Sequence, residues 1–246
     1  MSTGFLQYSI CIPCFNEAEA LPKVMEDILT NLYELEKPFE VIVVDDGSQD
    51  GTEALLGKLA DREARILYLR FDHNVGYGQA LKTAVGATRG RLVATLDSDG
   101  QFTLDDLPDL LKTMDTQQLQ VVSGVRQKDD QRLSARGGDG LIRLLTHLFH
   151  GVKATDPQCA FKLYEGELLR HIARNLEPAG FLTPTLWVMA AQRLGAAIGN
   201  CPVTHRPRLA GESKIRALRH GSRMLMDVLA LRKKVEDLPP LPGDAR

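Results

Sequence analysis

Short apolar runs alternate with helical patterns from Gln7 to about Val125, an order typical of βα units that build one mostly parallel sheet. The apolar runs predict five strands in this half: Tyr8–Ile12, Glu40–Val44, Arg65–Leu69, Arg91–Leu96 and Gln120–Val125. Apolar residues from Leu21 to Tyr33 follow the spacing of an amphipathic helix, which Lys37-Pro38 ends. The pattern therefore predicts an α/β protein with helices on a central sheet.

The second half of the chain has a less regular pattern. A polar, glycine-rich stretch from Gln127 to Gly140 predicts a mobile surface loop of the kind that often closes over substrates. A helix near Leu141–Phe149 and a strand near Cys159–Tyr164 follow, and further helices come after them. The proline-rich end, residues 237–246, is expected to be disordered.

Composition and charge exclude several classes of protein. The 246 residues are 43% hydrophobic and 25% charged, and a net charge of -2 argues against a nucleic-acid partner. In the hydrophobic stretch after Thr185, the longest uninterrupted apolar run is Leu186–Ala191, whereas a membrane-spanning helix needs roughly 20 residues. The start, Met1 to Gln7, lacks the features of a signal peptide. We therefore expect a cytoplasmic protein without a transmembrane helix.

The four cysteines allow a redox and a structural interpretation. Cys11 and Cys14 have a CxPC spacing between a strand and a helix, as in a thioredoxin-type pair. Cys11 also continues an apolar strand, and unpaired cysteine is among the most buried residue types, so core packing is favoured. Cys159 and Cys201 lie far apart and lack the spacing of a zinc site.

Polar segments follow three of the predicted strands. They are Pro13–Glu17, Asp45–Thr52 and Asp97–Gln101. Each alone is explained as a turn or a helix cap. In an open α/β sheet, however, ligands bind outside the carboxyl ends of the strands, so the three together predict a binding site at this edge.

The chemistry of these segments suits a metal diphosphate. Asp97 and Asp99 at a strand end can share one hard divalent cation, and Gln101 can add a carbonyl oxygen. Asp45 could accept hydrogen bonds from the N–H edge of uracil or of guanine, without discriminating between them. Glycines in Asn74–Gly78 would let the backbone approach a ligand, but the GxGxxG fingerprint of dinucleotide-binding proteins is absent.

Seven motifs, spread over most of the chain, carry a resemblance to a known family. They are Ile12–Glu17, Val44–Thr52, Asn74–Ala80, Leu96–Gln101, Ser123–Arg126, Asp156–Lys162 and His205–Lys214. With them the sequence resembles family 2 glycosyltransferases of the GT-A fold, close to the dolichyl-phosphate and polyprenyl-phosphate hexosyltransferases. It departs from the family pattern at Cys14, where Thr or Ser is usual, at Ala160, where Gly is usual, and at Leu186, near which related members often carry an acid.

The resemblance implies roles for individual residues. It assigns the nucleotide sugar to Pro13, Phe15, Asn16, Glu17, Asp45, Gly76, Asp97 and Ser98. It assigns Mg²⁺ or Mn²⁺ to Asp97, Asp99 and Gln101, and catalysis to Asp99, Arg126, Arg208 and Lys214. The acceptor phosphate is expected at Arg132, Ser213 and Lys214, where Ser213 is also suited to cap a helix whose N-terminus attracts anions.

The resemblance also implies a domain organisation. Residues 1–212 would form a single Rossmann-like GT-A domain, with a nucleotide-sugar half (1–125) and an acceptor half (126–212). Residues 213–236 would form a basic amphipathic helix, followed by the tail at 237–246. From Lys214 to Lys234 the chain has seven Lys or Arg and one acid, which suits a helix on anionic lipid; packing on the core or on a second subunit of a homo-oligomer is an equal alternative.

These points lead to one expected function and to its rivals. We expect an inverting, metal-dependent transfer of a hexose from a UDP- or GDP-sugar to a polyprenyl phosphate at the cytoplasmic membrane face. A phosphate monoester, with a second pKa of about 6, needs no general base. The membrane contact would be peripheral or supplied by a membrane subunit. The alternatives are transfer to a sugar or protein hydroxyl, and a non-catalytic nucleotide-sugar-binding subunit of a membrane complex.

Overall fold

A seven-stranded, mostly parallel sheet forms the centre of the computed structural model, which describes residues 6–128, 153–209 and 230–242. Within these ranges the strands are β1 Tyr8–Cys14, β2 Phe39–Asp45, β3 Ile66–Arg70, β4 Leu92–Thr95, β5 Val121–Lys128, β6 Lys162–Glu165 and β7 Ile198–His205. Their order is β3-β2-β1-β4-β6-β5-β7, and only β6 runs antiparallel to its neighbours. The predicted α/β class is confirmed.

Helices cover both faces of this sheet. They are α1 Leu21–Glu34, α2 Thr52–Arg62, α3 Tyr77–Gly86, α4 Leu107–Thr116, α5 Gly166–Asn175 and α6 Thr183–Arg193, with short 3₁₀ turns at Leu104–Asp106 and Gly180–Leu182 and a further helical stretch at 230–236. Alternate strand residues face opposite layers: Val41 and Val43 pack in the core with α1 and α4, whereas Ile42 and Val44 pack with α3, α5 and α6. Two apolar layers thus hold the sheet edge rigidly in place.

The predicted strands agree with the structure to within a few residues at their ends, with two differences in the second half. The strand expected near Cys159 begins at Lys162, because residues before it form a turn in which the Cys159 amide donates to the carbonyl of Asp156. The strand Ile198–His205 was not predicted, since helices were expected there. It contains Gly199 and Pro202 and owes its conformation to pairing with β5 along its whole length.

The cysteines are buried thiols. Cys11 packs in the core on one face of the sheet and Cys14 in the core on the other, and burial raises the pKa of the Cys11 thiol far above its usual range. The packing interpretation is therefore confirmed and the redox pair is excluded.

The C-terminal segment lies against the main domain. Leu231, Val235 and Leu238 are buried in the core with α5 and α6, and Nε2 of His171 lies 2.9 Å from the carbonyl oxygen of Pro239. For residues 230–236 this agrees with the core-packing alternative, and within the tail, where disorder was expected, Leu238 is buried and Leu241 packs partly against the core. The region 213–229 and the predicted loop and helix between 129 and 149 lie outside the described residues. None of the helices in the described ranges has the length and apolarity needed to cross a membrane.

Candidate active site

The turns after β1 and β2 meet at the carboxyl edge of the sheet and are bonded to each other. The amide of Asn16 donates to Ser48 Oγ at 2.8 Å, and Asn16 Oδ1 accepts from the amide of Gln49 at 2.8 Å. The amide of Glu17 donates to Thr52 Oγ1 at 3.0 Å. Asn16 has a φ of 50°, a left-handed conformation that Asn adopts more readily than most residues. These reciprocal bonds explain why both polar segments occur together.

Asp45, at the end of β2, is fully buried. Its Oδ1 accepts from the amide of Ser48 at 2.9 Å, and its Oδ2 lies 3.3 Å from Nε of Arg70 and 3.4 Å from the hydroxyl of Tyr68. The carboxylate is therefore held by three donors of the protein. Its contact with a nucleobase stays a prediction.

The next residue, Asp46, positions a loop of the site, a role that the sequence did not indicate. Its two carboxylate oxygens accept from the amides of Val75 and Gly76 at 2.7 and 2.9 Å. Gly76, a predicted nucleotide-sugar residue, precedes α3 with a φ of 102°, a conformation that favours glycine. Burial raises the pKa of Asp46. Asp46 thus fixes the loop before α3 against the end of β2.

The acidic loop after β4 contains a carboxylate oxygen that lacks a hydrogen bond. Oδ1 of Asp97 is buried and meets no donor in the described part of the chain. Burial, followed by the charge of Asp99, raises the pKa of Asp97 to about 7. Such an oxygen is costly unless a ligand satisfies it, and a divalent cation prefers carboxylate oxygens. This pair of acids therefore fits a divalent cation.

The other residues of this loop limit the ligand set. Asp99 Oδ1 accepts from the amide of Gln101 at 2.9 Å, and the side-chain amide of Gln101 donates to the carbonyl of Arg206 at 3.5 Å. Ser98 is buried between the two acids. Among the residues that the structure describes, no cluster of three His, Cys, Asp or Glu suits a metal. The remaining ligands of a cation would be amide, phosphate or water oxygens.

Arg208 joins the acidic loop to the turn after β1. Its Nη2 lies 2.8 Å from Oδ2 of Asp99, and its Nη1 lies 3.2 Å from Oε1 of Glu17. Pro13 and Phe15 belong to the same segment, where Pro13 pairs with Val44 across the sheet. The structure thus brings the predicted residues Glu17, Asp99 and Arg208 into direct contact.

Arg126, on β5, is paired with Asp156. Nε and Nη2 of Arg126 donate to the two carboxylate oxygens of Asp156 at 2.7 and 2.9 Å. Burial opposes ionisation of Asp156, but the hydrogen bonds and charge of Arg126 hold the pKa of Asp156 below its usual range. Asp156 begins the motif Asp156–Lys162, but no local sequence pattern indicates that it pairs with Arg126, which is 30 residues away.

A buried lysine, Lys162, lies near enough to Asp97 and Asp156 for its charge to favour the ionised form of both carboxyl groups. Lys162 is fully buried at the start of β6, donates to the carbonyl of Cys159, and pairs in register with Thr95 of β4. Burial lowers the pKa of Lys162 to about 8. Leu186, where relatives often carry an acid, is buried in the core of α6. The predicted acceptor residues Arg132, Ser213 and Lys214 lie outside the described residues.

Comparison with known proteins identifies the family. Residues 9–170 match the sequence profile of Glycosyl transferase family 2. Dodecaprenyl-phosphate galacturonate synthase of Rhizobium johnstonii is 28% identical over 232 residues, covering 92% of this chain and 66% of that protein. Undecaprenyl-phosphate 4-deoxy-4-formamido-L-arabinose transferase of Salmonella choleraesuis is 29% identical over 212 residues, covering 86% and 63%. The chain thus spans just under two thirds of the length of these relatives.

Solved structures agree on the fold. Glucosyl-3-phosphoglycerate synthase of Mycobacterium tuberculosis, crystallised with phosphoglyceric acid, superposes with a TM-score of 0.68 at 22% identity, covering 92% of this chain and 80% of that one. Its complex with Mn²⁺, UDP-glucose and phosphoglyceric acid has a TM-score of 0.68 at 23% identity, covering 92% and 79%. The fold is of the expected GT-A type, and the chain belongs to glycosyl transferase family 2.

Proposed function

We propose that this protein transfers a hexose from a UDP- or GDP-sugar to a polyprenyl phosphate, with inversion at the anomeric carbon. The observation that carries the proposal is the acidic pair Asp97 and Asp99, which combines a buried, unsatisfied carboxylate oxygen with the adjacent guanidinium of Arg208. Carboxylates for a divalent cation beside an arginine are the groups that a departing diphosphate requires.

The relatives support the type of acceptor and donor. Both curated relatives are named for transfer to a polyprenyl phosphate. The structural neighbour, which has a similar fold, was crystallised with Mn²⁺ and UDP-glucose. We therefore assign Mg²⁺ or Mn²⁺ to Asp97, Asp99 and Gln101, and the nucleotide sugar to the turns after β1, β2 and β4.

The reaction needs charge stabilisation more than proton transfer. An oxygen of the acceptor phosphate attacks the anomeric carbon while the bond from that carbon to the diphosphate oxygen breaks, and the electron pair leaves with the diphosphate. When bound, the cation would neutralise the diphosphate; Arg208 and Arg126 add fixed positive charge. A phosphate with a second pKa of about 6 is already ionised at pH 7, which is consistent with an aliphatic Leu186 where a base would otherwise be needed.

The proposed acceptor requires access to a membrane. We assign this contact to the cytoplasmic face, through the basic segment Lys214–Lys234 or through a membrane subunit. Vesicle flotation with neutral and anionic lipids measures it directly. Binding that grows with anionic lipid and falls with salt supports the basic segment, and no binding to either vesicle would contradict a direct membrane contact by this segment.

The donor is tested by thermal stabilisation. UDP- and GDP-sugars are screened with Mn²⁺, with Mg²⁺ and with a chelator, because a ligand that binds only the folded protein raises the midpoint of unfolding. We expect one nucleotide class to stabilise the protein, and only when a metal is present. Equal stabilisation in chelator would contradict the metal assignment, and no stabilisation by any donor would contradict the function.

The acceptor is tested by the chemistry of the product. A glycosyl phosphate is cleaved by mild acid, whereas a glycoside formed on a sugar or protein hydroxyl resists it. Acid-labile product in the lipid extract supports the proposal. An acid-stable product supports transfer to a hydroxyl, and donor binding without turnover supports a non-catalytic subunit.

A further inference from the structure

Arg208 lies between two acids that come from distant parts of the chain. One guanidinium nitrogen is 3.2 Å from Glu17, after β1, and the other is 2.8 Å from Asp99, after β4. The side chains of Arg208, Glu17 and Asp99 are only 20, 6 and 7% exposed. Water therefore screens these contacts little, and the guanidinium has a defined position.

Main-chain hydrogen bonds fix the positions of the segments that contain Arg208, Asp99 and Glu17. Amides in the segment 206–209 donate to the carbonyls of Gln101 and Asp99, at 2.8 and 3.2 Å. The amide of Glu17 is tied to Thr52 at 3.0 Å, at the start of α2. Arg208 thus bridges two elements whose main chains are already fixed, so its two ion pairs can direct the guanidinium.

We propose that Glu17 is a positioning residue that acts through Arg208 and makes no direct contact with the nucleoside. This inference rests on the proposed function, because it concerns how the same site binds a nucleoside diphosphate. Oδ2 of Asp99 now pairs with Arg208, but the same carboxylate is assigned to the cation. A cation at Asp99 repels the guanidinium, and Glu17 then holds Arg208 beside the acidic loop, within reach of the phosphates.

This arrangement predicts different effects on binding of the diphosphate and on binding of the nucleoside. Arg208 recognises phosphate oxygens, so loss of Glu17 weakens binding of a diphosphate and leaves binding of the nucleoside alone unchanged. A Glu17 that touched the nucleoside would instead affect both ligands equally. It would also act independently of Arg208, whereas a residue that works through Arg208 has no effect once Arg208 is gone.

The test measures binding to the full chain in Mn²⁺. UDP and GDP are titrated calorimetrically, and uridine and guanosine are followed by ligand-observed NMR. The variants are Glu17→Gln, Arg208→Gln and the double variant. Arg206→Gln is the matched control, because this neighbouring arginine forms an exposed ion pair with Asp105 at 3.2 Å.

We expect Glu17→Gln to weaken binding of the nucleoside diphosphate by about tenfold and binding of the nucleoside by less than about twofold. The double variant should bind the diphosphate no more weakly than Arg208→Gln alone, and Arg206→Gln should bind like the parent. Equal weakening of nucleoside and diphosphate by Glu17→Gln, or additive losses in the double variant, would overturn the inference.

A second variant serves where a glutamine substitution prevents folding. Arg208→Lys keeps the charge, but a single ammonium cannot reach both acids in the forked geometry of a guanidinium. It should therefore lose diphosphate affinity about as Glu17→Gln does, and unchanged affinity would contradict the bridge. A parent protein that binds neither UDP nor GDP would refute the proposed function itself, which distinguishes the two failures.

Discussion

Asp97 is the residue of the site whose burial is least favourable in the metal-free protein. Its carboxylate is buried beside Asp99, and one oxygen meets no donor among the described residues. Asp45 and Asp46, at the end of β2, by contrast accept hydrogen bonds from amides of the protein; β1 separates β2 from β4 in the sheet. The acids at this edge therefore divide into two that the protein itself satisfies and a pair, Asp97 and Asp99, to which we assign the cation under the proposed function.

The pKa of Asp97 predicts how the metal-free protein responds to pH. Because this pKa is about 7 in the folded protein and 3.8 ordinarily, the folded state retains a proton that the unfolded state releases. The stabilising contribution of Asp97 is thus fully present below about pH 4 and is lost as the pH rises through 7. Asn cannot ionise, so Asp97→Asn should unfold at least about 2 °C above the parent in chelator at pH 8, with the difference shrinking toward pH 5.

Thermal scans in chelator from pH 5 to pH 8 measure this effect. Asp50→Asn is the control, because Asp50 accepts hydrogen bonds from Thr52 and Ala18 and its neutralisation should lower the midpoint at pH 8. The same scans with Mn²⁺ should raise the midpoint of the parent and leave that of Asp97→Asn unchanged. A pH-independent difference between Asp97→Asn and the parent would contradict the assignment.

A second residue, Glu40, separates stability from function. It lies at the opposite edge of the sheet, where its oxygens accept from Ser9 Oγ at 2.7 Å and from the amide and side chain of Arg89 at 2.6 to 3.0 Å. Glu40→Ala leaves the buried hydroxyl of Ser9 and the amide of Arg89 without this acceptor and should cost about 1–3 kcal/mol in denaturant unfolding. Glu53→Ala, at an exposed pair, should cost less than about 1 kcal/mol. Weakened nucleotide binding by folded Glu40→Ala would show that this edge is not separate from the site.

The sequence predicted the position of a polar residue correctly where that residue directly follows a strand. Asp97 and Asp99 come after an apolar run, so their place at the sheet edge follows from the pattern alone. Asp156 and Lys162 gave no such signal, because the contacts that define them depend on how β5 and β6 pair. Long-range partners of this kind cannot be obtained from local spacing.

At the scale of elements, the segment 206–209 after β7 completes the acidic loop. Gly100 has a φ of 73°, and a Cβ there would lie 2.4 Å from Cδ1 of Leu209. The loop therefore needs glycine both for its backbone conformation and for the close approach of the segment. Because β7 itself was not predicted, the position of Arg208 at the acidic loop could be inferred only from the family resemblance.

Gly100→Ala tests this contact between elements. The variant should lose about 1–2 kcal/mol in denaturant unfolding, since the positive φ costs about 1 kcal/mol and the exposed side chain of Leu209 must also move aside. Gly51→Ala is a matched control, because Gly51 has a φ of 96° with open space around its Cβ position. It should show the conformational cost alone. Equal losses in both variants would show that the packing of Leu209 on the loop contributes nothing.

At the scale of the whole molecule, the C-terminal segment closes the core behind α5 and α6. The sequence predicted disorder from the prolines, but Leu238 between Asp237 and Pro239 is buried. Composition describes the average behaviour of such a segment and misses a single apolar anchor. The alternation of strands and helices, by contrast, was sufficient to predict the architecture, because each element buries its own apolar face.

Leu238→Ala measures the contribution of this anchor. Removing a buried leucine side chain should destabilise the protein by about 2–4 kcal/mol in denaturant unfolding. Leu67→Ala, on β3 with 40% of the leucine exposed, should cost less than about 1 kcal/mol. A loss at position 238 no larger than the loss at position 67 would show that residues 237–242 do not contribute to the core.

The central claim is that the acidic pair supports transfer of a hexose to a lipid phosphate. It is tested most directly by incubating the purified protein with Mn²⁺, polyprenyl phosphate in detergent and the labelled UDP- or GDP-sugar that stabilises it, and counting label in the lipid extract. We predict acid-labile labelled lipid with the parent and a rate at least about 100-fold lower with Asp99→Asn. Undiminished transfer by Asp99→Asn, or no labelled lipid with the parent, would contradict the account.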